Sequence, residues 1–122
     1  MRSRVVYFDG LTVVTSLDVK EDSRNMSLPQ NFSLAQNYPN PFNPATTIEF
    51  GLPEHSMVRL EIIDVLGRSV AVLASGEYVA GIQHISWTAH VASGIYFYRL
   101  EATAISNPGH RFVETKKMLL VR

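Results

Sequence analysis

Cysteine is absent from these 122 residues, which removes disulfides, thiolate nucleophiles and sulfur-ligated metals and leaves core packing to stabilise the fold. The compartment stays open, because many exported proteins also do without cysteine. An excess of charge is absent too. Eleven basic and eleven acidic side chains cancel, so no global field draws in nucleic acid or an anionic membrane, and any recognition is local. No apolar run approaches the roughly 20 residues that span a bilayer as a helix. The longest early stretch, Val5 to Leu17, is broken by Asp9 and Gly10. Arg2 and Arg4 precede it like the charged start of a signal peptide, but no small-residue cleavage site follows, and no targeting signal is read there. Helical periodicity is missing from every window longer than about a turn.

What is present alternates with period two. Ile48, Phe50 and Leu52 oppose Thr47, Glu49 and Gly51, and Val58, Leu60 and Ile62 oppose Arg59 and Glu61. "DVLGRS" follows, with Gly67 where a hairpin reversal needs positive φ, before the strand Ser69 to Leu73. Gly76 and Gly81 bracket an expected loop. "IQHISW" then resumes alternation, with Trp87 expected to face the core. Tyr96, Tyr98 and Leu100 form one face of the next strand, and Pro108 and Gly109 are the expected centre of a type II turn. In the last strand, Arg111 to Val121, the residues Phe112, Met118 and Leu120 oppose Val113, Leu119 and Val121. Six closely spaced runs separated by Gly, Pro, Asn and Ser predict a small all-β sandwich.

Two segments depart from this pattern. Residues 15–31 have the polar, charged composition of a linker. Upstream, residues 1–14 read as a strand segment or hairpin about Asp9 and Gly10, too small to be stable alone. Its Val5, Val6, Tyr7 and Phe8 could pair with the open edge of another copy, a head-to-tail contact that builds filaments. In "QNYPNPFNP" the prolines Pro39, Pro41 and Pro44 fix φ and remove donors, which excludes a central strand and predicts a stiff, extended crossing. Asn37, Asn40 and Asn43 are expected to make local Asx turns. Tyr38 and Phe42 are expected to anchor the segment in the core.

The blocks "FSLAQNYPNPFNPATTIEFGLP", "DVLGRSVAVLASGEYVAGIQHISW", "SGIYFYRLEA" and "KKMLLVR" together resemble the type A C-terminal sorting domain of type IX secretion substrates. The immunoglobulin-like domain of flagellar hook-capping proteins shares much of this pattern. The resemblance implies an all-β, immunoglobulin-like antiparallel sandwich of about seven strands over residues 32–122, non-catalytic and behind a cargo, directing it across a Gram-negative outer membrane by way of the periplasm, with the product secreted or held at the cell surface. It implies secretion machinery and a sortase-like peptidase as partners, with the cut falling before Phe32 and the cargo joined to a surface glycolipid. It also points to Gly67 and Arg68 in the turn and to Lys116, Lys117, Met118 and Arg122 in the last strand as recognition elements. The expected last strand is an edge free for docking. The alternative is a structural subunit that polymerises through its N-terminal strand, with a carbohydrate-binding module third.

No enzyme, cofactor or metal is expected. His55, His84, His90 and His110 lack the spacing of a helical metal pair, and His84, beside apolar strand positions, is expected to be structural while the other three are solvated. Asp9, Asp64, Glu77 and Glu101 fall on separate elements, which gives no catalytic carboxylate pair.

Overall fold

The computed structural model describes residues 28–122, so the N-terminal strand segment, including Val5 to Phe8, and most of the linker lie outside the described residues. The chain forms seven strands: β1 (Ser33–Leu34), β2 (Ala45–Leu52), β3 (Ser56–Ile63), β4 (Ser69–Tyr78), β5 (Gly81–Thr88), β6 (Gly94–Ala104) and β7 (Arg111–Leu120). Two antiparallel sheets, ordered β1-β2-β5 and β4-β3-β6-β7, pack as a sandwich. Alternation decides which side chains meet between them. Ile48, Phe50 and Leu52 face Val58, Leu60 and Ile62, with Tyr98, Leu100, Met118 and Leu120 completing the core. Trp87 packs against this core beside Phe42, their ring centroids 5.9 Å apart.

The proline segment switches sheets. Tyr38 exchanges both backbone bonds with Thr47 of β2, at 2.9 Å each, whereas Phe42 bonds to the far edge of β7 and bridges Leu120 in parallel. Between them lies Pro39-Asn40-Pro41, where the chain leaves one ladder and joins the other, so missing donors cost nothing. Phe42 is buried as expected, at 1% exposure, but Tyr38 is 80% exposed and is not an anchor. Strand parity explains the correction. Asn37 and Tyr38 are adjacent in extended chain and point to opposite faces, and Asn37 takes the inside. Its amide donates to Thr46 Oγ1 and to the Pro39 carbonyl, and its backbone N–H donates to the Tyr98 hydroxyl at 2.8 Å. That hydroxyl donates in turn to the Ala35 carbonyl at 2.7 Å. Tyr98 thus reaches from β6 across the core to hold the start of the crossing.

Three further expectations are corrected. Gly76 lies within β4 rather than in a loop, at φ 141°, a conformation that favours glycine, and the reversal falls at Val79 and Ala80. Pro108 and Gly109 are the centre of a turn closed by His110 N–H to Asn107 O at 2.8 Å, but Gly109 does not adopt the left-handed φ that type II requires. His84 is exposed on the outer face and lies 3.2 Å from Glu49 of the neighbouring strand.

Two outcomes test this packing. Phe42→Ala should destabilise by about 3–5 kcal/mol, as for other large core truncations, while Tyr38→Ala should stay within about 0.5 kcal/mol; urea unfolding measures both. Burial pushes the Tyr98 phenol from 10.0 up to about 12, against the opposing bond from Asn37. The unfolded phenol therefore ionises first, so stability is full below pH 10 and is lost as the pH climbs toward 12. Tyr98→Phe should lower stability at neutral pH by about 1–3 kcal/mol and remove that alkaline loss.

Candidate docking surface

The β3–β4 hairpin is organised by one carboxylate. Asp64 Oδ1 accepts from the N–H of Leu66 and of Arg68, each at 2.9 Å, and Asp64 Oδ2 pairs with Arg68 Nε at 2.8 Å. The Asp64 N–H donates to Arg68 O and the Gly67 N–H to Asp64 O, closing the turn. Gly67 has φ 82°, where a Cβ would be strained. These bonds, led by the Arg68 backbone N–H, hold the Asp64 carboxyl below its ordinary value of 3.8 against the opposing effect of desolvation. With polar groups tied inward, the turn turns its apolar residues outward: Val65 is 65% exposed and Leu66 is 72% exposed.

Cross-strand register places one strand, β6, between this turn and the last strand. Ile63 pairs with Phe97 and Phe97 with Lys117, while Ile95 pairs with Leu119, so these side chains share the outer face. Ile95 lines two clefts. One runs between it and the Asp64–Arg68 turn, and the other lies beside Lys117, Leu119 and Asn40. Farther along the same face the composition changes to Arg59, Glu61, Arg99 and Glu101. Glu61 pairs with Arg99 at 3.2 Å and Arg59 at 3.5 Å, and Arg99 also pairs with Glu101 at 3.3 Å. A Ser69 hydrogen bond, then the two arginines, hold the Glu61 carboxyl below its ordinary value against the effect of burial. One half of the face is therefore neutralised internally, and the other is apolar with cations beside it.

The residues expected from sequence to act in recognition separate into different roles. Arg68 and Lys117 come together around Ile95 on the outer face, with Gly67 shaping the turn. Met118 points the other way, is buried, and presents nothing to a partner. Lys116 also lies on the inward series, partly covered and 3.3 Å from Glu114, so Lys116 and Lys117 cannot be read together from one face. Arg122 is a clasp. Its N–H donates to Ser93 Oγ at 2.9 Å, and its guanidinium donates to the carbonyls of Val91 and Ala89 at 2.9 and 3.3 Å. Val65, Leu66 and Ile95 were not among the expected site residues. The available signal was two large apolar residues in a turn, where polar residues and glycine prevail.

The last strand is an edge, but it is not free along its whole length. Gln36 Nε2 donates to Lys117 O at 2.8 Å, Asn40 Oδ1 accepts from the Leu119 N–H at 3.0 Å, and Phe42 bonds Leu119 O and the Val121 N–H. From Lys117 O to the Val121 N–H the outer edge is covered by the proline crossing.

A family model described as the secretion system C-terminal sorting domain matches residues 36–113, from the crossing into β7. The chain belongs to this family. It is a C-terminal sorting domain of type IX secretion, which interacts with that machinery and goes to the cell surface or the medium. Lys116 to Arg122 lie beyond the matched stretch. A search of curated proteins returns no match. Among solved structures, CopC from Methylosinus trichosporium OB3b is similar at 15% identity over 74% of this chain and 93% of that one, with a TM-score of 0.50. At that identity the likeness is one of fold.

Two changes probe the turn of this sorting domain. Gly67→Ala should destabilise by about 1 kcal/mol because φ remains positive. Because the folded Asp64 carboxyl is the stronger acid, its contribution is present above the unfolded value of 3.8 and is lost as pH falls through the lower folded value. Asp64→Asn should therefore flatten the acid limb of stability against pH, measured by urea unfolding at stepped pH.

Proposed function

We propose that this sorting domain is read in its folded state, through side chains on the outer face of β7 and the adjoining Asp64–Arg68 turn, and that a sortase-like peptidase then cuts before Phe32. The observation that carries this reading is the covered edge. Between Lys117 and Val121 the backbone is engaged by β6 on one side and by Gln36, Asn40 and Phe42 on the other, which leaves side chains for a partner to read. The cutting position is supported by how the packed domain begins. Phe32 stacks on Phe112 with centroids 5.7 Å apart and meets the His110 ring edge-on at 5.9 Å, so the chain is held from this residue onward. No single bond upstream is marked by its residues.

The sorting-domain family is non-catalytic. His55, His84 and His110 each lie beside a glutamate, at 3.2, 3.2 and 2.7 Å, in exposed and separate pairs. Joining of the released cargo to a surface glycolipid completes the proposed sequence.

The full chain, fused behind a reporter carrying a periplasmic export signal, should send the reporter to the surface or medium of a type IX-competent bacterium. It should leave the reporter in the periplasm of a strain lacking that system; equal export from both strains overturns the reading. Phe42→Ala should cut export while raising amide exchange at Leu119 and Val121, although Phe42 is buried. Normal export with a loosened last strand would instead mean that the signal is read as an extended peptide.

A further inference from the structure

We propose that Val65 and Leu66 are an insertion knob that seats in an apolar groove rimmed by carboxylates on the export machinery. The inference rests on the sorting reading above and adds the chemistry of the contact. Its first support is the cost of the exposed pair. Large apolar side chains at a hairpin tip gain nothing from solvent, and here they stand 65% and 72% exposed on a turn whose carboxylate, Asp64, is bonded within the turn itself. The Asp64 bonds and the Gly67 conformation hold the tip in one shape, so little ordering entropy is lost when a partner covers it.

Continuity is the second support. Ile95, Leu119 and Val121 are exposed on the same end of the face, and half-buried Ile63 and Phe97 lie beside them on that face. A patch of this kind, with clefts on both sides of Ile95, has the relief of a protein contact with an apolar centre and a charged rim.

Charge identifies the partner. Asp64 is the one carboxylate lining either cleft, and Arg68 and the turn N–H groups engage it. Lys117 has no carboxylate within ion-pair distance among the described residues, and Arg122 is engaged by carbonyls rather than an acid. The uncompensated charge of this end is positive, so the complementary rim is acidic. Two copies meeting through this end would oppose Lys117 to Lys117 with no free side-chain carboxylate lining either cleft to answer them, which disfavours a second copy as occupant. A planar anionic lipid surface would match the charge but not the clefted relief.

The test uses the full chain behind the same reporter in a type IX-competent bacterium. Val65→Ser with Leu66→Ser should reduce export at least about tenfold, the loss of a modest hot spot, with an unchanged melting temperature. Lys117→Glu should reduce it comparably and Lys117→Arg should not. Val79→Ser, at the exposed β4–β5 turn, is the surface control and should export normally. If wild type is not exported, the sorting reading itself fails. If wild type is exported and the double variant matches it, the knob is wrong and sorting stands. Normal export of Lys117→Glu overturns the acidic rim. A concentration-dependent dimer in sedimentation, abolished by Leu66→Ser, would put a second copy there, and Leu66-dependent binding to phosphatidylglycerol vesicles would put a membrane there; either overturns the proposal.

Discussion

The Tyr98 hydroxyl is where the two sheets are fastened to one another. A phenol buried in an apolar core must find partners, and this one finds Ala35 O and the Asn37 N–H, both on the segment that opens the fold. Everything downstream of Asn37 follows from that placement. With Asn37 inside, Tyr38 is outside, the prolines cross between ladders, and Phe42 arrives over Met118 and Leu120 with its backbone along the edge of β7. The crossing thereby serves both sheets. It extends the smaller one as a partner of β2 and closes the larger one beyond its last strand.

That closure determines what the exterior can offer. An uncovered edge strand invites pairing with any extended chain, whereas a covered one restricts recognition to side chains and to shape. The outer face of the larger sheet is divided accordingly. Glu61 is satisfied by Ser69, Arg59 and Arg99, and Arg99 shares its guanidinium with Glu101, so this half is internally balanced. At the other half Asp64 is consumed within its turn while Lys117 has no acid beside it among the described residues. A chain with no net charge can still present a polar gradient along one sheet, because what matters to a partner is which charges remain uncompensated.

The inward faces of the long strands were legible because a period of two admits one buried set: Ile48, Phe50 and Leu52, or Tyr96, Tyr98 and Leu100, could not have been placed otherwise without exposing the series. Tyr38 was misjudged because its apolar area was weighed without its parity. Where Asn37 and Tyr38 compete for the interior, the Asn37 side-chain amide wins by donating to Thr46 Oγ1 and the Pro39 carbonyl, while the Asn37 backbone N–H donates to the Tyr98 phenol, a network formed by residues up to 61 positions apart and invisible locally. Gly76 was read as punctuation because glycine usually ends strands. Here it continues β4 at a positive φ, and the reversal at Val79 and Ala80 is marked by Gly81 alone, at φ 132°. For the docking surface, the sequence pointed to the turn and the last strand separately. It did not show that Ile95 joins them, since that depends on the β6–β7 register, nor that Arg122 is held by backbone carbonyls, whereas the alternation that sets Met118 against Leu119 already separates Lys116 from Lys117.

The separation of Lys116 from Lys117 bears on how a sorting signal of this kind can work. A linear peptide reader would take both cations and the following apolar residues together, since all lie on one short stretch. In the folded domain the stretch is divided by strand parity: Met118 and Leu120 belong to the core, Lys116 to an internal pair, and Lys117, Leu119 and Val121 to the outer face. The outward set is completed by residues from the β3–β4 turn and β6, distant in sequence and assembled only when the sandwich has closed. Phe42 and Tyr98 hold that closed state, so the same contacts that stabilise the fold also determine whether the assembled face exists for a partner to meet.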